Sequence, residues 1–512
     1  MVRSIPKINR TVLGGGVVIF LLLFLIIGTL IAVVFRIESF SGLTRNEWLA
    51  IRFTFFQSFA SAFISVLLAI PVSRALSRRT FIGRKILITL LGAPFILPVI
   101  VAILGLVLVF GNNGLIRNLF HLDALSIYGV HGVIIAHVFF NLPLATRLLL
   151  QGWVSIPSER FRLAQSLGFT PFNFFVYLEL PMLRRLVPGI FLIIFLICTT
   201  SFAVALALGG GPKSTTIELA IYQAFRFDFN LSRVAILSVI QITICGVIAL
   251  FSLWVSIPVN YGGGLDRVRP QSSNGRAIDL FFISVAILFL CLPLIMITFR
   301  GLGFLSSIPS TVIFAAIRSI IVALIATSLS IIMTLYLAAL SVYYSKRFEI
   351  FGYLPIAASP LVVGTGLFMM LYKWTDPTIF ALPIAIIVNS MMCLPFSLKI
   401  ITPAFFDLER NFGKLATSLN MTGWSRFKLL ILPRLKGPIG FSAGLSAALS
   451  MGDLGVIVLF SDPRLSTLPM EIYRLMISYR MDEAYGAAVL LLGLSVFLFW
   501  LFDSGGKTNF NS

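Results

Sequence analysis

Charge is what this chain has least of. Only 11% of its 512 residues are Asp, Glu, Lys or Arg, and 58% are hydrophobic. Soluble domains carry about 25% charged residues, so an ordinary soluble fold is excluded. Acids are scarcer still, 19 against 39 bases, for a net charge of +20. That balance does not point to nucleic acid, because the bases sit in short loops beside apolar runs. Cysteine is rare as well. Cys198, Cys245, Cys291 and Cys393 stand far apart in apolar segments with no CxxC, and they read as small buried hydrophobes. No metal site and no catalytic residue is expected. A phosphate loop is also missing. Lys507-Thr508 follows Gly506, but position 501 is Leu where the motif needs Gly, and Lys213-Ser214 follows Pro212. No cofactor is expected on this chain.

Long apolar runs are what the chain has in abundance. Crossing about 30 Å of hydrocarbon takes about 20 apolar residues. Twelve such runs can be read, at roughly 12–35, 50–72, 86–110, 129–151, 187–208, 233–258, 278–299, 312–341, 350–372, 379–401, 438–460 and 484–502. The expected fold is an all-α polytopic membrane protein. The first run follows Arg3, Lys7 and Arg10, but it is too long for a signal peptide and no small-residue cleavage site follows. It reads as a retained span with the N-terminus in the cytoplasm. The basic residues then gather on the cytoplasmic side, most plainly in Arg74, Arg78, Arg79, Arg84 and Lys85.

The chain also repeats itself. Glu159–Arg185 and Asn411–Gly437 align at an offset of 252, pairing Leu163 with Leu415, Ala164 with Ala416, Thr170 with Thr422 and Pro181 with Pro433. Pro143 matches Pro395 at the same offset, and Tyr222 matches Tyr473 at 251. Six spans separate the two loops, so the halves are parallel repeats of one orientation. The divisions are 1–48 (an added first span), 49–258 (first repeat), 259–277 (a Gly/Ser-rich cytoplasmic linker), 278–311 (an added span and outer loop), 312–503 (second repeat) and 504–512 (a cytoplasmic tail). Pro94, Pro98, Pro143, Pro293, Pro360, Pro383 and Pro395 lie inside spans, as packing kinks or as hinges.

Each twin loop reads as helix, break, helix. Ser158 is placed to cap a helix with Phe161, Ala164 and Leu167 on one face. Gly168, and Asn420 in the second copy, fall where a left-handed residue ends a helix. Thr170 and Thr422 are placed to cap the next helix, and Leu180-Pro181 to end it. Such a basic helix either lies on anionic lipid or docks a soluble partner.

The spacing resembles the EAA loop of ABC importer permeases. The leading positions are Arg162-Leu163-Ala164 and Lys414-Leu415-Ala416, the glycine position is Gly168 or Asn420, and the Leu-Pro is Leu180-Pro181 or Leu432-Pro433. Two departures stand out: the family's Glu is basic in both copies, and one Gly is Asn. Ala136–Gln151, Leu208–Gln223 and Ser450–Phe460 are similar to the permeases of thiamine and thiamine pyrophosphate importers. The resemblance implies two fused permease domains in a bacterial inner membrane, both termini cytoplasmic. It also implies two copies of a partner ATPase that hold the ATP and Mg, a periplasmic binding protein, and alternating access.

Candidate path residues are few. Asp453, flanked by Gly452 and Gly455, reads as a pathway carboxylate or as a structural partner of Arg318. His137 and Asn141 line the path or serve packing, and Asn389 reads as polar glue. Gly209, Gly210, Gly211, Thr215, Thr216 and Glu218 form an outer gate, a binding-protein contact or a plain loop. A ferric-ion permease of the same fused type is the nearer alternative. An ion-coupled secondary transporter is the remoter one, and it is disfavoured because Asp453 pairs with Phe202 across the repeat.

Overall fold

The computed structural model describes all residues except 1–8, 38–41, 85–86, 89–90, 93–95, 113, 121–126, 210, 256–274, 373, 461–464 and 507–512. Lys85, Pro94, Gly210, most of the linker, and Lys507-Thr508 therefore lie outside the described residues. Those described form helices and no strand. Twelve long helices run in chain order: α1 (Thr11–Val34), α2 (Arg45–Arg78), α3 (Val99–Phe110), α4 (Val130–Ser155), α5 (Leu180–Thr199) and α6 (Leu231–Trp254), then α7 (Arg276–Leu302), α8 (Ser310–Tyr343), α9 (Pro360–Leu371), α10 (Ala381–Ser418), α11 (Leu432–Met451) and α12 (Met481–Gly506). Among the described residues ten helices are long and apolar enough to cross a membrane, or 11 with the pair 346–357 and α9, bent by 85°. The chain is thus an all-α polytopic membrane protein.

Sequence explains the helices and their faces. Thr44 and Glu47 close a capping box at the start of α2. Along α2, Phe55, Phe59, Phe63 and Leu67 stay exposed at a spacing of four, an apolar stripe for lipid, while Thr54, Ser58, Ser61 and Ser65 turn inward. Polar inside and apolar outside is the membrane version of amphipathicity. Pro143 and Pro395 both sit inside helices, α4 and α10. The helix absent from the apolar set is α11. Its small residues let it pack closely: a Cβ on Gly440 would lie 2.6 Å from the Phe502 carbonyl of α12, and one on Gly444 2.8 Å from that of Phe499.

Helix lengths follow the sequence repeat. α2 and α8 are each 34 residues, α3 and α9 each 12, and α5 and α11 each 20. The two added spans cross over. α1 packs chiefly on α8 and α9 of the second half, where Gly14 meets Tyr336 and Gly366 meets Thr29. α7 packs on α2 and α3 of the first half as well as on α12. A Cβ on Gly105 would lie 2.6 Å from the Pro293 carbonyl, and Arg79 at the end of α2 pairs with Asp279 of α7 at 2.7 Å. Each added helix therefore clasps the opposite repeat.

Candidate functional site

The twin loops lie on one side of the bundle, with the C-terminal ends of α2, α8 and α12. Arg74 of α2 bonds Glu179, Arg426 stacks on Tyr343 of α8, and Gly506 of α12 packs on Lys436 and Gly440. The first loop begins after Pro157 breaks the chain between α4 and a short helix, Ser158–Ser166. The second begins without a break, because Glu409 holds that position and α10 runs on to Ser418. Both copies then end their helix in the same way. The Phe169 amide donates to the Ala164 carbonyl and the Gly168 amide to that of Gln165, at 3.0 Å each. Met421 to Ala416 and Asn420 to Thr417 repeat this at 2.9 and 3.0 Å. Gly168 and Asn420 take the left-handed conformation, φ +68° and +50°.

Other expectations are corrected. Ser158 does not cap. The helix starts there, with Pro157 before it and no side-chain cap, and the Ser158 hydroxyl bonds Glu159. Thr170 caps by accepting from the Asn173 amide, but Thr422 makes no such bond. Leu180-Pro181 does not end a helix. A π turn at Phe175–Glu179 leads straight into α5, and Phe427–Ile431 leads into α11. Pro181 and Pro433 have no N–H for the regular ladder, and the wider turn just before them accommodates that break without ending the helix. Leu167 is exposed rather than inward, while Phe161 is half-buried and Ala164 buried.

What remains on the surface is alike in both copies. Arg162 and Lys414 are exposed, as are Leu163 and Leu415, Leu167 and Leu419, and Phe172 and Trp424. Ala164 and Ala416 anchor the platforms from beneath. Glu179, itself buried, binds Arg74 at 2.7 Å and also Arg78, fixing the first loop to α2. Glu409 binds Arg426, which lies over the Tyr343 ring and fixes the second loop to α8. Each platform is a rigid basic and apolar surface, joined to a helix that crosses the molecule.

The second candidate region is where α5 and α11 end. α5 stops at Thr199 before the short helix Phe202–Leu208, and α11 stops at Met451 before Ile457–Phe460. Since both end at the offset of 252, the residue matching Asp453 is Ser201 rather than Phe202. Asp453 is half-buried, and its Oδ1 accepts from the Gly455 amide at 3.1 Å. Arg318 donates instead to the Ser466 carbonyl at 2.8 Å. The first break is held by amides. Gln57 Nε2 donates to the Cys198 carbonyl at 3.0 Å, and Gln241 Nε2 to that of Thr199 at 3.1 Å. Asn141 Nδ2 donates to the His137 carbonyl at 2.8 Å and lies 3.2 Å from Cys198 Sγ; His137 Nδ1 lies 3.4 Å from Ser61 Oγ. His137 and Asn141 thus face the interior of the first half, apart from Asp453.

The outer segment is mostly buried. Gly209, Thr215, Thr216 and Glu218 are buried, and Gly211 is exposed with φ +109°. Thr216 caps the helix Ile217–Arg226, whose first amide donates to Thr54 Oγ1 of α2 at 2.9 Å. In the second half the Leu468 amide donates likewise to Ser319 Oγ of α8 at 2.8 Å.

No family model matches the chain. Whole-chain relatives do. The thiamine transport system permease protein ThiP of Salmonella typhimurium is 37% identical over 476 residues, 89% of this chain and 88% of that one. ThiP of Escherichia coli is 36% identical over the same 476 residues. ThiP of Haemophilus influenzae is 32% identical over 522 aligned residues, 96% of each chain. The chain belongs to the ThiP family of permeases.

In this ThiP-family chain the sequence reading missed Gln57, Gln241, Glu179 and Ser359. A search for ionisable residues inside spans passes over two glutamines. Only the two-residue alternation of Gln57 with Phe55 and Phe59 marks a polar face there. Glu179 lies in the first loop, but nothing local announces its arginines more than 100 residues away.

Proposed function

We propose that the chain is the membrane permease of an ATP-driven importer that carries thiamine or its phosphates from periplasm to cytoplasm by alternating access. Membership in the ThiP family supports the cargo. The observation that carries the coupling is the pair of like-built exposed platforms, each fixed by a carboxylate–arginine pair to a long helix of its half. Two copies of a separate ATPase dock there. Their closure on ATP moves the platforms, and α2 and α8 pass that motion across the membrane. The exposed Leu163, Leu415, Phe172 and Trp424 supply apolar area, and Arg162 and Lys414 ask for an acidic groove.

The platform side is the cytoplasmic face of a bacterial inner membrane, with both termini on it; the clustering of Arg74, Arg78, Arg79 and Arg84 there supports this orientation. A periplasmic binding protein delivers the cargo to the outer face, where Gly211 and Lys213 are exposed. Asp453 serves as a pathway carboxylate. Charge reversal at both platforms, Arg162→Glu with Lys414→Glu, tests the docking. Loss of ATPase co-purification with the folded double variant is expected. Unchanged binding places both side chains in solvent and removes them from the interface. Uptake of labelled thiamine against labelled ferric ion by the complete transporter tests the cargo.

A further inference from the structure

Four carboxylates are buried among the described residues: Glu47, Glu179, Glu218 and Asp279. Three face an arginine. Glu47 pairs with Arg233 at 3.1 Å, Glu179 with Arg74 at 2.7 Å, and Asp279 with Arg79 at 2.7 Å. Glu218 is the most enclosed, with no exposed surface, and among the described residues no cation faces it. Its Oε1 accepts from Gln241 Nε2 at 3.0 Å. Its Oε2, and Gln241 Oε1 beside it, accept no hydrogen bond. An acid this deep in a membrane protein is costly without a counter-charge, and the fold supplies one to each of its other buried acids.

The surroundings of Glu218 join the two halves. Ser359, from the second half, lies against its carboxyl group. The Ser359 hydroxyl also caps α9, accepting from the Leu361 amide at 3.2 Å. α9 is the bent arm of a broken span, and such irregular backbone is tolerated at membrane depth where it is packed in protein or lines a passage. Asp453 reaches the same corner from the other side. A Cβ on Gly455 would lie 3.4 Å from Asp453 Oδ1 and 3.7 Å from Pro360, the residue after Ser359. Next to Asp453, a Cβ on Gly452 would lie 3.0 Å from the Cα of Pro98 at the start of α3 in the first half. Among the described residues Asp453 has no cationic partner either; backbone amides hold it. Two acids without cations thus converge, one from each half, on the start of α9.

The repeat sharpens the point. The second-half counterpart of Glu218, at the offset of 251, is Pro469, and that of Gln241, at the offset of 250 set by the matching left-handed Phe229 and Tyr479, is Leu491. The Glu218–Gln241 pair is therefore not part of the shared scaffold. It belongs to one half, as a contact with an asymmetric cargo does.

We propose that Glu218, from the first half, and Asp453, from the second, are the counter-charges that an organic cation meets in the path between the halves. This rests on the thiamine reading, since the thiazolium ring carries a fixed positive charge. When the halves part at the outer face, the Ser359 corner opens and Glu218 Oε2 faces the incoming cation. When they close again, Gln241 and Ser359 re-cover Glu218.

The test uses the whole transporter, permease with ATPase and binding protein in proteoliposomes, and reads labelled thiamine imported per ATP hydrolysed. Glu218→Gln and Asp453→Asn keep size and hydrogen bonding and remove charge. Each is expected to lower the ratio at least tenfold, with partial recovery in Glu218→Asp. A ratio equal to wild type in both variants, or uptake and hydrolysis falling together, overturns the proposal and assigns the acids to structure. Asp453→Asn keeps the test valid if Glu218→Gln does not assemble. Wild-type transporter that imports no thiamine overturns the cargo reading, and the cation with it.

Discussion

At the scale of single residues, the left-handed positions and the buried acids carry most of the argument. Gly168 has open space around it, so only its backbone angle restricts substitution. Gly168→Ala is expected to cost about 1 kcal/mol at the loop, and Gly168→Asn less, because Asn420 already serves there in the second copy. Thermal unfolding in detergent, with ATPase co-purification alongside, checks the order. Glu179 behaves differently. Its removal leaves Arg74 and Arg78 unpaired beside a buried loop root. Glu179→Ala is expected to destabilise by about 3 kcal/mol, discounted for the partial exposure of Arg74, and to weaken ATPase binding. The cap at Gly168 was legible from sequence, since its cause is local. The partners of Glu179 were not, because an ion pair across more than 100 residues has no local sign.

At the scale of elements, close backbone contact decides which helix can sit where. α11 packs among α8, α10 and α12 although it is not among the helices long and apolar enough to cross a membrane, and Gly440 and Gly444 are the reason. Gly440→Val is expected to push α11 from α12 and to lower the yield of folded protein severalfold in size-exclusion chromatography, whereas Gly493→Val, with open space, leaves it unchanged. The π turns before Pro181 and Pro433 belong to this scale as well. Leu-Pro reads in sequence as a stop signal, yet the helix passes through it. The missing proline N–H is the local cause of the wider turn, and Glu179, bound to Arg74 and Arg78, ties the first of the two turns to α2.

For the molecule as a whole, the crossing of α1 and α7 means that neither half is a separable body. Co-expressing 1–258 and 275–512 as separate chains is expected to restore uptake, since the linker is the break between repeats. Removing α1 is expected to expose α9 and the second half to limited proteolysis, because α1 covers them more than it covers its own repeat. Protection of the second half without α1 would show that the crossing is dispensable. By itself the sequence determined the membrane class, the repeated segments and the left-handed turns at Gly168 and Asn420. Each of these follows from composition, periodicity or local backbone preference, which act within a few residues. Only the tertiary structure decided which half each added helix clasps, which arginines fix the loops, and that Glu218 stands buried without a cation beside the corner reached by Asp453. Those are contacts between segments far apart in the chain, and they exist only once helices from both halves pack together.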